Sequence, residues 1–409
     1  MLPVAVWILA IVFLLIIVRR VWLPIWLIMT GGAVCALLTG AISPAAALTA
    51  IHKDVIIFLF GMFVLGVGME RSGLLHAASL LAFARAVTRK QILFWYIFFM
   101  GFAAAFLMND TVAIIGTPIA LYCGKRYGIP AATMLIALAL TVTFGSVITP
   151  IGNPQILLIA MSGGIPNAFG TFFVYMLVPA LLSMYLLYRI LLLTIPDPEK
   201  SVTEHHDITE PVDPVLARLV KITFSLVIAM IVLRVVLSFA GYDLPFVAIA
   251  AAAALPLLLF SPRRVELLRN VDWSTLVFFA SMFVLMAAVW ETGVIQSVLP
   301  PAFTTSMPVL FGVSLIVPQL VSNVPYVALV LPIFEAAAAP VHMYIALAAG
   351  STISGALTIL GAASSVIVIQ NAEKHGSTMT FWEYCKIGVP LTAMSAAMFI
   401  GWIWFISLL

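Results

Sequence analysis

Residues 104–120 read Ala-Ala-Phe-Leu-Met-Asn-Asp-Thr-Val-Ala-Ile-Ile-Gly-Thr-Pro-Ile-Ala. The triplet Asn109-Asp110-Thr111 stands in the middle of a stretch, 91–124, that is otherwise apolar. Each flanking arm is about 16 residues, short of the roughly 20 that a helix needs to cross a bilayer. The pattern therefore predicts a helical hairpin that enters and leaves on one side, with a polar tip at mid-membrane. A partner tip, Ser322-Asn323-Val324-Pro325, lies in the second half. Asn109-Asp110-Thr111 precedes Thr117-Pro118-Ile119 at the spacing by which Asn323-Val324-Pro325 precedes Leu331-Pro332-Ile333.

The correspondence extends outward. Ile136-Ala137-Leu138 finds Ile345-Ala346-Leu347, and Thr149 to Gly152 finds Thr358 to Gly361. Upstream, Met62-Phe63-Val64-Leu65 matches Met282-Phe283-Val284-Leu285, with Glu70 and Glu291 following. Self-similarity of this kind marks transporter folds built from internal repeats. The expected division is an extra N-terminal helix at 1–20, a first repeat at 21–195, a linker at 196–217 and a second repeat at 218–409.

Composition agrees. Of 409 residues, 64% are hydrophobic and 9% are charged, whereas soluble domains carry about 25% charge. Runs such as Leu2 to Val18, Ile222 to Ala240 and Val389 to Leu409 reach or approach bilayer length. They do not alternate polar and apolar residues, which argues against transmembrane strands. The first run lacks a basic leader and a small-residue cleavage site, so it reads as a retained helix. The expectation is an all-α integral membrane protein of about 9–11 spans, in two inverted repeats, each with a re-entrant hairpin and a broken helix.

Basic residues set the orientation. With the first helix descending, Arg19, Arg20, Arg71, Arg85, Arg89, Lys90, Lys125, Arg126, Arg263, Arg264, Arg269, Lys374 and Lys386 share the cytoplasmic side, as does the linker. Lys53 falls outside, and Arg234 sits near the outer end of a span. The resulting location is the cell inner (plasma) membrane. A net charge of +3 without a basic patch gives no reason to invoke nucleic acid. Cys35, Cys123 and Cys385 have no metal-site spacing and read as small buried hydrophobes.

Beside the two tips, two further polar interruptions occur at membrane depth. Thr149-Pro150-Ile151-Gly152-Asn153-Pro154 cannot sustain regular helix hydrogen bonding, and its partner is Thr358 to Ser365. Carbonyls freed at such breaks coordinate cations, while the N-termini of the following half-helices favour anions. Asp110 is the sharpest single candidate, because a carboxylate at this depth is costly and can carry a proton at neutral pH. Glu70, Glu291 and Glu335 read as interfacial. Asp54 and Asp272, each at the start of a span, read as helix caps. His52, His76, His205, His206, His342 and His375 fall in loops or near helix ends. No nucleophile–base pair, metal cluster or phosphate loop is evident, so an enzyme fits least.

These motifs resemble the ion transporter superfamily: Gly61 to Leu74 (GMFVLGVGMERSGL), the Asn-Asp-Thr tip, Thr149 to Pro154 (TPIGNP), the Ser-Asn-Val-Pro tip, and Gly361 to Gly376 (GAASSVIVIQNAEKHG). The similarity spans roughly residues 20 to 405. It is nearest to the arsenite permease and sodium–proton antiporter branch, with divalent anion–sodium symporters more distant. It implies a transport unit holding both hairpins and both breaks, a scaffold unit, and a homodimer. By position it assigns substrate and ion contacts to Asn109, Asp110 and Thr111, to Ser322 and Asn323, and to the loops holding Thr149, Gly152, Asn153, Thr358, Gly361 and Ser364. Dicarboxylate relatives read Ser-Asn-Thr at both tips; the departures here argue against sodium coordination and dicarboxylate binding. No arginine lies near either tip in the sequence to clamp a carboxylate.

The leading expectation is a proton-coupled exporter or exchanger of a small inorganic anion or metalloid, arsenite-like in kind, with Asp110 as the coupling group. It needs no cofactor beyond a coupling ion, H+ or Na+. Sodium-coupled uptake of a dicarboxylate or other anion, sodium–proton antiport, and a passive channel or membrane subunit of a larger complex are the alternatives.

Overall fold

A computed structural model describes residues 3–18, 23–202, 213–299 and 301–409. Arg19 and Arg20 lie outside the described residues, as does the middle of the linker with His205 and His206. Among the described residues there is no strand, only one bridge between Thr88 and Ser201.

The first half contains α1 (Val4–Val18), α2 (Ile25–Leu38), α3 (Pro44–Ala50), α4 (Lys53–Arg71) and α5 (Leu74–Phe83). The first hairpin follows as α6 (Arg89–Leu107) and α7 (Asn109–Tyr127), then α8 (Ala131–Ser146), α9 (Pro154–Met161) and α10 (Ala168–Leu191). The second half repeats the order: α11 (Pro214–Phe239), α12 (Phe246–Phe260), α13 (Arg264–Asn270), α14 (Trp273–Trp290) and α15 (Val294–Val298). Its hairpin is α16 (Met307–Ile316) with α17 (Pro318–Val321), returning as α18 (Asn323–Ala336); α19 (Val341–Ile353), α20 (Ala363–Lys374) and α21 (Phe381–Ser407) complete it.

Five helices, α6, α10, α11, α14 and α21, are long and apolar enough to cross a membrane. A sixth span forms if α3 and α4, bent by 49°, count as one. Several shorter apolar helices fill the rest. α11 shows why the chain needs lipid: Ile222, Leu226, Val232, Leu233 and Val236 all face away from protein, so only hydrocarbon can shield them.

Packing between the halves is reciprocal. α2 lies against α14 while α4 lies against α12; α9 meets α18 while α20 meets α7; α10 and α21 pack on each other. Such exchange of equivalent contacts is what a two-fold relation produces. α1 also holds the place beside α2 that α11 holds beside α12. Two bodies result. One gathers α1, α2, α4, α11, α12 and α14; the other gathers both hairpins, α8, α9, α10 and α19 to α21.

Ion pairs collect the basic residues of one face. Arg71 contacts Glu266 at 3.9 Å and Asn270 at 2.7 Å. Lys90 pairs with Glu199, and Arg89 donates to the Pro196 carbonyl at 2.7 Å. Arg263 reaches Asp213, which caps α11 by accepting from the Val215 and Leu216 N–H groups. Both ends of the linker are thus tied to this side, hereafter the linker face. α11 has 26 residues, about 39 Å of helix, which carries Arg234 towards the opposite face.

Two sequence expectations need revising. The arms of the first hairpin are 19 residues each, longer than expected, because Arg89, Lys90, Lys125 and Arg126 extend the helices beyond the apolar stretch. Cys35 is exposed on α2; on a lipid-facing helix an apolar thiol needs no protein around it.

Candidate functional site

Both tips turn by the same device. Met108 (φ 67°, ψ 140°) and Ser322 (φ 70°, ψ 159°) each end one helix and start the next. Positive φ is uncommon in non-glycine residues and needs surrounding structure to hold it. At the first tip that support is visible: the Asn109 N–H donates to the Gly152 carbonyl at 2.8 Å. The hairpin is thereby fastened to the break between α8 and α9. Asn109 Oδ1 accepts from the Asp110 N–H at 2.9 Å, and its amide nitrogen approaches the Ser364 hydroxyl at 3.5 Å, across the two-fold.

The first break is wholly buried. Asn153 caps α9 by accepting from the Ile156 N–H at 2.9 Å, and donates to the hydroxyls of Ser146 at 3.0 Å and Thr352 at 3.4 Å. Gln155 reaches the same Thr352 at 3.3 Å. The Thr149 hydroxyl donates to the Ala105 carbonyl in the hairpin's first arm. Gly152 lies so close to the end of α8 that a Cβ would sit 2.1 Å from the Ser146 carbonyl oxygen.

Gln319 organises the second break. It donates to the carbonyls of Ser354 at 2.7 Å and Leu315 at 3.1 Å, and accepts from the Thr358 hydroxyl at 2.7 Å. Asn323 Oδ1 accepts from the Ser354 hydroxyl at 2.8 Å. Gly361 mirrors Gly152, with a Cβ position 2.7 Å from the Ser354 carbonyl oxygen.

A cavity of about 480 Å³ opens between the two tips and the body of α2 and α14. Its polar wall includes Asn109, Asp110, Gln155, Asp272, Gln319, Ser322 and Asn323, with Gln370 further along α20. No Lys, Arg or His lines it among the described residues. Of the residues expected from sequence, Asn109, Asp110, Ser322 and Asn323 line this space. Thr149, Gly152, Asn153, Thr358, Gly361 and Ser364 stand behind it, holding the backbone in place. Thr111 packs on α4, where a Cβ on Gly66 would come within 2.8 Å of its hydroxyl oxygen.

Sequence reasoning passed over Gln155, Gln319 and Gln370, and read Asp272 only as a cap. Asp272 does cap α14, accepting from the Thr275 N–H at 3.0 Å. Asp54 does not: the cap position of α4 belongs to His52. Near the opposite face a second cavity, about 420 Å³, is lined by Asp54, Asn167, Arg234, Tyr242 and Asp243, and no tip residue reaches it. There Arg234 pairs with Asp243 at 2.6 Å and stacks over Phe246 at 4.0 Å.

Comparisons with known proteins converge on transport. The profile of the CitMHS family, described as a citrate transporter, matches residues 11–343. A 46 kDa membrane protein of Mycobacterium leprae is 25% identical, the similarity covering 87% of each chain. A silicon efflux transporter of Oryza sativa subsp. japonica is 27% identical over 440 aligned positions, 90% of this chain and 89% of that one. In architecture the crystal structure of the Alcanivorax borkumensis YdaH transporter matches with a TM-score of 0.59, covering 99% of this chain and 98% of that one. At 15% sequence identity this last likeness bears on the fold alone.

Proposed function

The chain belongs to the CitMHS citrate transporter family, and from that premise we propose that it is an ion-coupled secondary transporter of a small hydroxylated inorganic solute. The carrying observation is the cavity between the tips: it presents amide and hydroxyl groups with two carboxylates and no basic side chain among the described residues. Free citrate at neutral pH is multiply negative, and desolvating it beside Asp110 and Asp272 with no counter-charge among the described residues is costly. A neutral hydroxylated acid, arsenite-like or silicic, exchanges its water hydrogen bonds for those of Asn109, Ser322 and Asn323 without that cost. The silicon efflux relative, similar over 89% of its own length, favours this reading.

In this reading Asp110 takes the coupling proton, and its charge is neutralised while solute is bound. The cavity that reaches the tips lies by the N-terminus of α14, on the linker face, while the opposite cavity stops short of them. That asymmetry suits one end state of alternating access, with the basic linker face cytoplasmic in an inner (plasma) membrane. A homodimer, implied by family resemblance, completes the proposal.

The family description favours a second reading, ion-coupled transport of a carboxylate such as citrate. Proteoliposomes separate the two when silicic acid, arsenite and citrate are each offered under imposed pH and sodium gradients. Silicic acid or arsenite driven by the pH gradient supports the first reading. Citrate driven by either gradient, with no movement of the neutral acids, overturns it.

A further inference from the structure

The side chain of Gln155, 3% exposed at the start of α9, is only half used. Its amide nitrogen donates to the Thr352 hydroxyl oxygen at 3.3 Å, while its amide oxygen has no hydrogen-bond partner among the described residues. That orientation is set from behind. Asn153, whose own oxygen is held by the Ile156 N–H, donates to the same Thr352 oxygen at 3.4 Å, so this hydroxyl serves both amides as an acceptor. A buried amide oxygen left without a partner is costly and rare. This one belongs to a side chain that lines the tip cavity, where a bound molecule can satisfy it. Asn323 supplies the complementary half. It is 5% exposed, its oxygen accepts from the Ser354 hydroxyl at 2.8 Å, and its amide nitrogen lacks a partner among the described residues on the wall of the same cavity.

The two amides share one mount. Thr352 and Ser354 stand two residues apart where α19 ends, about 5 Å along a helix, and α9 packs against α18. The cavity wall thus offers an acceptor from Gln155 and a donor from Asn323. A hydroxyl group has a hydrogen to give and lone pairs to offer, whereas a carboxylate or other oxyanion has lone pairs alone. We propose that Gln155 selects the protonated, hydroxyl-bearing form of the solute, accepting a hydrogen bond from a solute hydroxyl while Asn323 donates to a solute oxygen. An ionised solute meets the Gln155 oxygen lone pair to lone pair and is turned away. This inference rests on the transport of a neutral hydroxylated acid proposed above, and adds to it the group that discriminates. Selectivity built in this way does not pass through Asp110, so it separates from ion coupling.

The test follows silicic acid and arsenite flux by the full chain in proteoliposomes, with citrate offered in parallel. Gln155→Met keeps the length of the side chain and removes the acceptor. It should raise the half-saturating concentration of both neutral acids about tenfold, the loss of one hydrogen bond, with maximal flux and ion dependence unchanged. Gln155→Glu keeps an acceptor oxygen and should return half-saturation to within about threefold of wild type. Thr352→Val loosens the mount but leaves the acceptor, so it should cost less than Gln155→Met. An unchanged half-saturating concentration in Gln155→Met, a fall in maximal flux alone, or an equal loss in Thr352→Val overturns the inference, because the side chain is then only a prop for the break. If Gln155→Met carries no flux, Gln155→Glu decides: near-wild-type affinity supports the inference, and a second inactive variant overturns it. Those outcomes leave the transport of neutral acids standing. A wild-type chain that moves citrate and neither neutral acid overturns both.

Discussion

In the first half, main chain meets main chain: the tip is fastened to its break through the Asn109 N–H and the Gly152 carbonyl, deep inside the protein. The second half makes its connections with side chains, through Gln319 and Asn323, and Leu360 in its break is 58% exposed. The arms differ too. α6 and α7 have 19 residues each, whereas α16 stops after 10, α17 adds 4 beyond Pro318, and α18 has 14. One turn geometry is thus built in two ways, rigidly around Asp110 and more loosely around Asn323; in the proposed reading the first seats the coupling charge and the second exchanges solute. A carboxylate needs fixed surroundings to be neutralised reproducibly, and a wall that releases its ligand needs bonds that break one at a time.

The sharpest way to break this comparison is to remove the charge. Asp110→Asn should abolish uphill, ion-driven flux in proteoliposomes while leaving downhill exchange. By contrast, Asn323→Ala should only weaken solute affinity, by about tenfold, the equivalent of one lost hydrogen bond to a buried group. Equal losses of coupling from the two variants would dissolve the distinction.

Next come the paired glycines. Gly152→Ala forces a methyl into the Ser146 carbonyl at 2.1 Å, whereas Gly361→Ala meets the Ser354 carbonyl at 2.7 Å and the Gln319 amide at 2.9 Å. Both collisions involve a buried backbone carbonyl, but the first is closer by 0.6 Å, so a cost of about 3 kcal/mol or more is expected, against about 1–2 kcal/mol for the second. Thermal unfolding in detergent ranks them, and the reverse ranking counts against a rigid first half.

Smaller effects sharpen the picture. Asn153→Ala, which removes the cap of α9, should cost about 1 kcal/mol. Gln319→Ala should speed amide exchange in residues 354–362 and leave 147–153 unchanged; acceleration in both breaks would mean the halves are not independent. Smallest of all, Lys90→Ala should shift stability by less than about 1 kcal/mol, since its partner Glu199 is 73% exposed.

Much of this was legible beforehand because a membrane makes polar residues conspicuous. Asn109 and Asn323 fall at the two turns, and Gly152 and Gly361 fall in the two breaks, as polar and helix-breaking residues in apolar runs predicted. What stayed hidden was of two kinds. Gln155, Gln319 and Gln370 bear no charge, and nothing in their spacing says which helical face meets a cavity. Asp272 sits where any helix welcomes an acidic cap, so its second exposure, to the cavity, depends on the distant tip of α7. Thr111 was assigned to the site by its neighbours, yet its placement on Gly66 depends on a helix some forty residues upstream.

Under the proposed reading, in which Asp110 takes the coupling proton, the lining of the tip cavity has an electrical corollary. With ion and neutral solute aboard, the hairpin unit would cross the membrane with Asp110 neutralised; empty, it would return as an anion. Voltage therefore acts on the empty return, at about 2.3 kcal/mol per charge for every 100 mV traversed in full. A cytoplasm held negative would hurry the vacant carrier outward and slow its passage back, so that the resting potential, and not the solute, sets which way an idle transporter faces.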